Sequence, residues 1–303
     1  MRISADLLYE LDRLRQRNFK WKILFIAMIA VIIIFSITRG NDPYKSDHIA
    51  RIKIDDIIVD NSEVVSAIDE IAEDKSSSAI IVLINSSGGS PYMSEEIYHS
   101  LRRVSQSSKP VAVVIRSLAA SGGFMVAMAG DRIFAGETSI TGSIGAIMQT
   151  IDASVLAEKI GIKIKNYAYP EMKGVPSPTE KVPPFAEKIL NEVAMDVYDS
   201  FINIVSTRRN IAKQELLKFA DGRIYTGKQA LELKLIDQIG GEHDALQWLY
   251  NEKNISKNAK IKDVHLEEKS FGINRFVSQL SRNFSTKISQ IVTDNLISRL
   301  KFN

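Results

Sequence analysis

The sequence contains three short segments that are rich in glycine and serine. Each segment follows an apolar, strand-like run or lies beside one. Residues 85–89 (NSSGG) follow the run AIIVLI, residues 117–123 (SLAASGG) follow VAVVI, and residues 141–145 (TGSIG) form the third segment. A glycine pair leaves backbone N–H groups uncovered, so that they can point at one oxygen as an oxyanion hole requires. A serine directly before Gly-Gly, at a strand-to-helix junction, is well placed for nucleophilic attack. Tight turn packing is the alternative explanation of these glycines, and the residues alone leave both open.

A nucleophilic serine needs a base, and histidine and lysine are the two candidates in this chain. None of the four histidines accompanies a glycine-rich strand end; they are His48, His99, His243 and His265. A lysine can replace histidine when burial lowers the pKa of its ammonium group. Lys173 differs from lysines on polar helical faces, because it lies in a predicted loop (169–176) whose apolar residues would exclude water from it.

The elements that must position these residues alternate between strands and helices. Continuous apolar runs such as AIIVLI (79–84) and VAVVI (111–115) are typical of strands that are covered on both faces. Strands that alternate with helices at this spacing predict βαβ units and a largely parallel sheet. We therefore predict one α/β domain from about residue 47 to 250. Further strands are predicted near 52–59, 132–135 and 162–167, and helices at 63–72, 95–104, 122–129, 184–207 and 212–219.

Composition and charge exclude several classes of protein. The chain has 303 residues and no cysteine, which excludes disulfides, cysteine-ligated metals and a thiol nucleophile. We expect neither a cofactor nor a metal. The net charge of +3 divides into +3 for residues 1–22, −5 for 23–250 and +5 for 251–303. A nucleic-acid-binding protein would carry its basic excess on the folded domain, so basic ends on an acidic body favour a membrane partner.

The N-terminal part contains an uncharged apolar run, residues 23–38 (ILFIAMIAVIIIFSIT). Lys20, Trp21 and Lys22 precede the run and Arg39 follows it, and their side chains can extend a short span at the membrane interfaces. We predict a cytoplasmic N-terminus (1–22), a single-pass transmembrane helix in the cytoplasmic (inner) membrane, and an extracytoplasmic domain. A cleaved signal peptide and a buried helix of a soluble core are the alternatives.

Two further segments complete the predicted organisation. Residues 39–48 form a linker, and residues 251–303 form a basic, amphipathic C-terminal tail. From residue 270 onward, apolar side chains recur every three to five residues with basic residues between them. Such a helix can lie on a membrane, pack on a neighbouring subunit or pack on its own domain, and the sequence leaves these three open.

Four ordered motifs resemble the signal peptide peptidase A family of membrane-bound Ser/Lys peptidases. NSSGG is similar to its Asn-Ser-Pro-Gly-Gly turn, AASGGF to its nucleophile segment, and TGSIGAI to its Thr-Gly-Ser-Ile-Gly segment. Residues 222–241 (GRIYTGKQALELKLIDQIGG) resemble its closing glycine-rich stretch. The resemblance covers residues 49–250 and implies a Clp-protease/crotonase-like fold preceded by the membrane helix. It also implies a serine endopeptidase that degrades signal-peptide remnants or other membrane-released peptides.

The resemblance also implies a role for individual residues. Ser121 matches the nucleophile, Lys173 falls in the loop of the general base, and Ser143 matches the serine that orients the lysine ammonium group. Gly88 matches an oxyanion donor, and the Gly122 N–H is a plausible second one. The family includes short, single-domain members that assemble into rings and share site residues between subunits, so a homo-oligomer is implied.

The chain departs from the family pattern at two positions. Ser87 replaces the proline of the Asn-Ser-Pro-Gly-Gly turn, and Lys234 replaces the glycine that follows the ALEL helix within the closing stretch. A left-handed backbone at a non-glycine position would cost about 1 kcal/mol.

Two other functions remain as alternatives. A crotonase-type acyl-CoA hydratase or isomerase would need a carboxylate base rather than Ser121, and a membrane scaffold could keep the fold without catalysis.

Overall fold

The computed structural model describes residues 22, 25–29, 47–60 and 62–264. The chain divides into two compact units, 1–47 and 48–303. In the first unit residues 25–29 are helical and exposed. Apart from the residues just given, the predicted N-terminus (1–22), membrane helix (23–38) and linker (39–48) lie outside the described residues, as does the tail beyond 264. Within the described part, no helix combines the length and the apolar character needed to cross a membrane.

The second unit is built on one sheet of eight strands within the described residues. Their bounds are β1 (His48–Ile58), β2 (Ser77–Gly89), β3 (Val111–Ala120), β4 (Arg132–Ala135), β5 (Ile140–Gly142), β6 (Ile224–Thr226), β7 (Gln238–Ile239) and β8 (Lys260–Asp263). The order is β6-β5-β3-β2-β1-β8, and β4 lies beside β3 and pairs with β7. All these pairs are parallel except β5 with β6. The predicted α/β class with a largely parallel sheet is therefore confirmed.

Strand β3 changes its partner part of the way along its length. Residues 112–115 pair with β4, whereas residues 118–120 pair with β5. On its other edge the register with β2 shifts between Ile84 and Ser86. Ser139, in the turn between β4 and β5, fixes this branch because its hydroxyl donates to the Arg116 carbonyl. Both edges of β3 are thus irregular over residues 116–118.

Helices cover the two faces of the sheet. Their bounds are α1 (Ser62–Glu73), α2 (Pro91–Gln106), α3 (Gly122–Ala127), α4 (Ser154–Lys159), α5 (Pro184–Arg209), α6 (Lys213–Leu216), α7 (Gly227–Glu232) and α8 (Glu242–Glu252). The larger core packs α1, α2, α3 and α5 against one face, around Phe124 and Phe201. The smaller core packs α8 against the other face, around Phe134 and Trp248. Side chains that alternate along β2 and β3 feed these two cores, which explains why both runs are continuously apolar.

The predicted strand at 162–167 is wrong. Residues 162–168 form no regular structure, and Ile162, Ile164 and Tyr167 are exposed. The alternating apolar residues that suggested a strand have no neighbouring strand edge within the described residues. The predicted helix at 212–219 is shorter than expected, because α6 extends only from Lys213 to Leu216.

The closing stretch contains the departure noted at Lys234. Its φ is 60°, so the backbone is left-handed at the position where the family pattern has glycine. The Leu235 N–H donates to the Ala230 carbonyl, and the Arg209 side chain donates to the Lys234 carbonyl. These bonds hold the chain after α7 in this strained conformation.

The predicted domain end at 250 falls inside α8, and the sheet gains β8 from residues beyond it.

The C-terminal end of α1 is capped by a lysine from another part of the chain. The Lys109 ammonium group donates to the carbonyls of Ile71, Ala72 and Asp74 at 2.6–2.8 Å. These include carbonyls that have no partner inside the helix, and a cation there opposes the helix dipole. Burial lowers the pKa of Lys109, in keeping with an ammonium group withdrawn from water.

We expect Lys109→Met to lower the free energy of unfolding by about 2 kcal/mol, because hydrogen bonds from a charged group to helix-end carbonyls are lost. Urea unfolding followed by the fluorescence of the buried Trp248 measures this change. Lys75→Met is the matched control, because Lys75 is exposed on the loop after the same helix. Equal destabilisation by the two substitutions would contradict a capping role.

Candidate functional site

The carboxyl ends of β2, β3 and β5 bring the three glycine- and serine-rich segments together. Ser121 follows β3 directly and is the N-cap of α3. Its N–H donates to the Gly142 carbonyl at 3.0 Å, which connects it to the end of β5. In a parallel sheet the carboxyl ends of neighbouring strands lie at one edge, so this convergence follows from the topology.

Ser121 has a backbone conformation that serine rarely adopts. Its φ is 51° and its ψ is −122°, and the next residue begins α3. A positive φ at a non-glycine residue costs energy and is common at functional turns. A sharp strand-to-helix turn of this kind presents a side-chain hydroxyl at the top of the sheet. The Ser121 side chain is accordingly only half-buried although the segment 122–130 behind it is buried.

Gly88 lies directly against Ser121 and the start of α3. A Cβ atom on Gly88 would stand 2.7 Å from the Gly122 nitrogen and 2.9 Å from the Ser121 Cβ. Its φ of 98° is also unfavourable for a side chain. The backbone of β2 can approach the candidate nucleophile this closely only because residue 88 is glycine. Gly88, Ser121 and Gly122, which the sequence singled out separately, are therefore neighbours.

The Gly88 N–H is engaged by a residue that the sequence did not single out. It donates to Ser86 Oγ at 3.1 Å, and the Ser86 hydroxyl in turn donates to the Asp56 carbonyl. Asp56 has a φ of 60° and lies where the register of β1 with β2 shifts. Ser86 is fully buried. Ser86 is part of the NSSGG segment, but the sequence motif did not predict its hydrogen bond with Gly88.

Helix α2 packs against Gly122 and leaves no space for a side chain there, as is also the case at Gly88. A Cβ atom at Gly122 would stand 2.2 Å from Ser94 Oγ and 3.3 Å from the Gly89 nitrogen. Ser94 is fully buried, and its hydroxyl donates to the Ser90 carbonyl. The Gly122 N–H is among the first N–H groups of α3, which have no acceptor within the helix. Nothing in the sequence pattern of α2 indicates that Ser94 packs here.

Ser143 follows β5, next to the residue whose carbonyl binds Ser121. It has a φ of 51°, and its N–H donates to the Arg223 carbonyl at 2.8 Å. Thr141 donates its hydroxyl to the Ala119 carbonyl, which ties β5 to β3 just before both candidate serines. Ser121 and Ser143 thus leave two paired strands at the same end of the sheet.

Lys173 is placed differently from the other candidate residues. It lies in a turn in which its N–H donates to the Pro170 carbonyl, and its side chain is exposed. Among the described residues it makes no hydrogen bond with Ser121 or Ser143. The expected shielding by apolar neighbours within the loop is therefore not seen in the single chain.

The segment that carries Lys173, residues 143–183, exposes many apolar side chains; we call it the connecting segment. Its one regular element among the described residues is α4, which buries none of its residues. Tyr167 and Tyr169 are 92% and 94% exposed. The other large exposed apolar side chains of the segment are Ile147, Met148, Ile151, Val155, Leu156, Ile160, Ile162 and Ile164.

Comparison with known proteins matches this chain to peptidases. The model of peptidase family S49 matches residues 103–256. A protein of Enterococcus faecium named "Putative signal peptide peptidase SppA" is 37% identical over 187 residues, which are 62% of this chain and 54% of that protein. The chain thus spans about half the length of that relative.

Two further relatives are similar over more of their length. A "Putative protease" of Synechocystis sp. is 37% identical over 68% of this chain and 76% of its own length. A "Putative protease" of Methanocaldococcus jannaschii is 29% identical over 84% of this chain and 89% of its own length. The family match begins before β3 and includes Ser121, Gly122, Ser143 and Lys173.

We expect Gly122→Ala to destabilise the fold by about 1–3 kcal/mol, because its methyl group would overlap Ser94 Oγ. Ser94→Ala removes that oxygen, so the double variant should recover at least half of the loss. Urea unfolding of wild type, both single variants and the double variant provides the cycle. Additive effects of the two substitutions would show that Ser94 does not set the space at Gly122.

Proposed function

The chain belongs to peptidase family S49, that of the signal peptide peptidase A proteins, and we propose that it is a membrane-anchored serine endopeptidase with a Ser121/Lys173 dyad. The observation that carries this proposal is the contact of Gly88 with Ser121 and Gly122, which puts backbone donors beside a strained serine. The branched parallel sheet is compatible with the Clp-protease/crotonase-like fold that we propose for the domain.

The proposed reaction is acyl transfer to Ser121. Neutral Lys173 accepts the hydroxyl proton, and Ser121 Oγ forms a bond to the carbonyl carbon of the scissile peptide. The Gly88 and Gly122 N–H groups donate to the oxyanion of the tetrahedral intermediate, and Ser143 orients the lysine. The intermediate collapses as Lys173 protonates the leaving amine, and water then hydrolyses the acyl-enzyme by the same route in reverse.

The position of Lys173 supports a site that is completed by a second copy of the chain. Its exposed side chain and the exposed apolar residues of the connecting segment would both be covered if that segment packed on a neighbouring subunit. Apolar surface on this scale is typical of an interface between proteins. Burial at such an interface would also remove water from the lysine, as a lysine base requires. We therefore propose a homo-oligomer.

The proposed membrane attachment rests on the sequence. The uncharged run 23–38 and the basic residues before it support a single-pass anchor with a cytoplasmic N-terminus. The catalytic domain would then lie outside the cytoplasm, next to the membrane surface. Extended peptides that leave the membrane, such as signal-peptide remnants, are the substrates that we propose for a site in this position.

We expect Ser121→Ala and Lys173→Ala each to reduce the hydrolysis of an unstructured fluorogenic peptide by at least about 10³-fold, because either change removes a member of the dyad. Lys181→Ala is the control, because Lys181 is another exposed lysine of the connecting segment and should leave activity unchanged. Cleavage that survives in either dyad variant would contradict the assignment.

Subunit mixing tests whether one site contains residues of two copies. Ser121→Ala and Lys173→Ala chains, each inactive alone, are co-expressed and purified as mixed oligomers. If Lys173 acts on Ser121 of a neighbour, some sites receive an intact serine and an intact lysine, and random mixing restores up to about one quarter of wild-type activity. If both residues act within one chain, the mixture stays as inactive as its parents, and the shared site is wrong.

A further inference from the structure

A cavity of about 650 Å³ opens on the face of the sheet that α8 covers, opposite the face on which α3 packs. It forms where β4 and β7 end and β3 continues to its second partner, β5. Crevices at such points, outside the ends of parallel strands, are common ligand sites in α/β sheets. The lining includes neither Ser121 nor Gly88, so the cavity is separate from the candidate site.

The floor and walls of the cavity differ in character. Lys53, Leu83 and Val114 are paired in a row across three neighbouring strands, β1, β2 and β3. Leu83 and Val114 are nearly buried and give an apolar floor. Lys53 stands at one end of the row, and Arg116, two residues beyond Val114 on β3, also lines the cavity. Ser117 on β3 and the hydroxyl residues Thr138 and Ser139 in the turn before β5 line the remaining side.

Two cations of this cavity have no acidic partner among the residues that the structure describes. Arg51, also in the lining, is paired with Glu242 at 2.7 Å and with Asp263 at 2.6 Å. Lys53 and Arg116 are exposed, and within the described residues neither forms an ion pair or a side-chain hydrogen bond. Residues 23–250 carry a net charge of −5, so most of this part of the chain is acidic. The two unpaired cations give the cavity the opposite charge. Their position favours an anionic ligand.

The lining of the cavity indicates which anion fits. Glu242 lines the cavity, but it is paired with Arg51 at 2.7 Å, so Lys53 and Arg116 are the charges left for an anionic ligand among the described residues. The Gly241 N–H at the N-terminus of α8 already donates to Asp244 Oδ2 at 2.8 Å. An arginine can bind a carboxylate with two parallel hydrogen bonds, so the anion need not contact this helix terminus. The apolar floor suits an aliphatic group attached to that carboxylate.

We infer that this cavity binds the C-terminal carboxylate of a peptide whose last side chain is aliphatic. The carboxylate lies between Lys53 and Arg116, and the side chain rests on Leu83 and Val114. Peptide hydrolysis produces such carboxylates, but binding in the cavity does not involve Ser121. The inference therefore stands whether or not the proposed dyad is correct.

Fluorescence anisotropy of the full chain in a neutral detergent tests this site. The probe is a fluorescein-labelled tetrapeptide that ends in leucine, with either a free carboxylate or a C-terminal amide. The measurements use a Ser121→Ala background, so that cleavage does not consume the probe. We expect the acid to bind at least tenfold more tightly than the amide at low salt. Equal affinity of acid and amide would overturn the inference.

Variants of the two free cations locate the binding. Lys53→Gln combined with Arg116→Gln should weaken binding of the acid at least tenfold and abolish its advantage over the amide. Lys213→Gln, which removes an exposed lysine on α6, is the matched control and should change affinity less than twofold. The same loss in the control, or none in the double variant, would overturn the site. Displacement of the probe by inorganic phosphate at equal concentration would overturn the choice of a carboxylate.

Discussion

The close approach of two backbones at Gly88 and Gly122 is the constraint on which the candidate site depends. A methyl group at either position would fall within 2.7 Å of a neighbouring atom. Gly89 is restricted in the same way, because its Cβ would stand 2.1 Å from the Ile58 carbonyl oxygen. The ends of β1, β2 and β3 and the start of α3 are thus packed backbone against backbone. The glycines allow this close approach because they have no side chains, and the buried side chains of Ser86 and Ser94 pack around them.

The branch in β3 accounts for the positions of both the candidate site and the cavity. Because β3 leaves β4 after Ile115, it can continue as far as Ala120 beside β5 and deliver Ser121 to the edge of the sheet. The same departure leaves the ends of β4 and β7 uncovered, and the basic cavity opens there. Ser139 holds this geometry from the turn between β4 and β5, since it bonds both Gly136 and Arg116. One irregular strand therefore determines both features.

The sequence predicted the features that depend on local pattern and missed those that depend on contacts between distant residues. The runs at 79–84 and 111–115 are strands, and α5 lies within two residues of its predicted bounds. Strands β6 and β7 have three and two residues, too few for a periodic signal. The false strand at 162–167 had the right pattern but no partner. The glycines of the candidate site follow from motif and topology, whereas the contacts of Ser86 and Ser94 require the folded chain.

The engagement of Gly88 bears on how the proposed reaction would gain its selectivity for the transition state. Its N–H already has an acceptor in Ser86 Oγ, a neutral oxygen at 3.1 Å. A substrate carbonyl, also neutral, would gain little by replacing that bond. An oxyanion accepts hydrogen bonds about twice as strong, so it would draw the N–H away from Ser86 as charge develops. An interaction that becomes favourable only when the charge forms stabilises the transition state and lowers the activation barrier. It does not strengthen the binding of the substrate in its ground state. Ser86 would then act as the resting partner of the oxyanion donor.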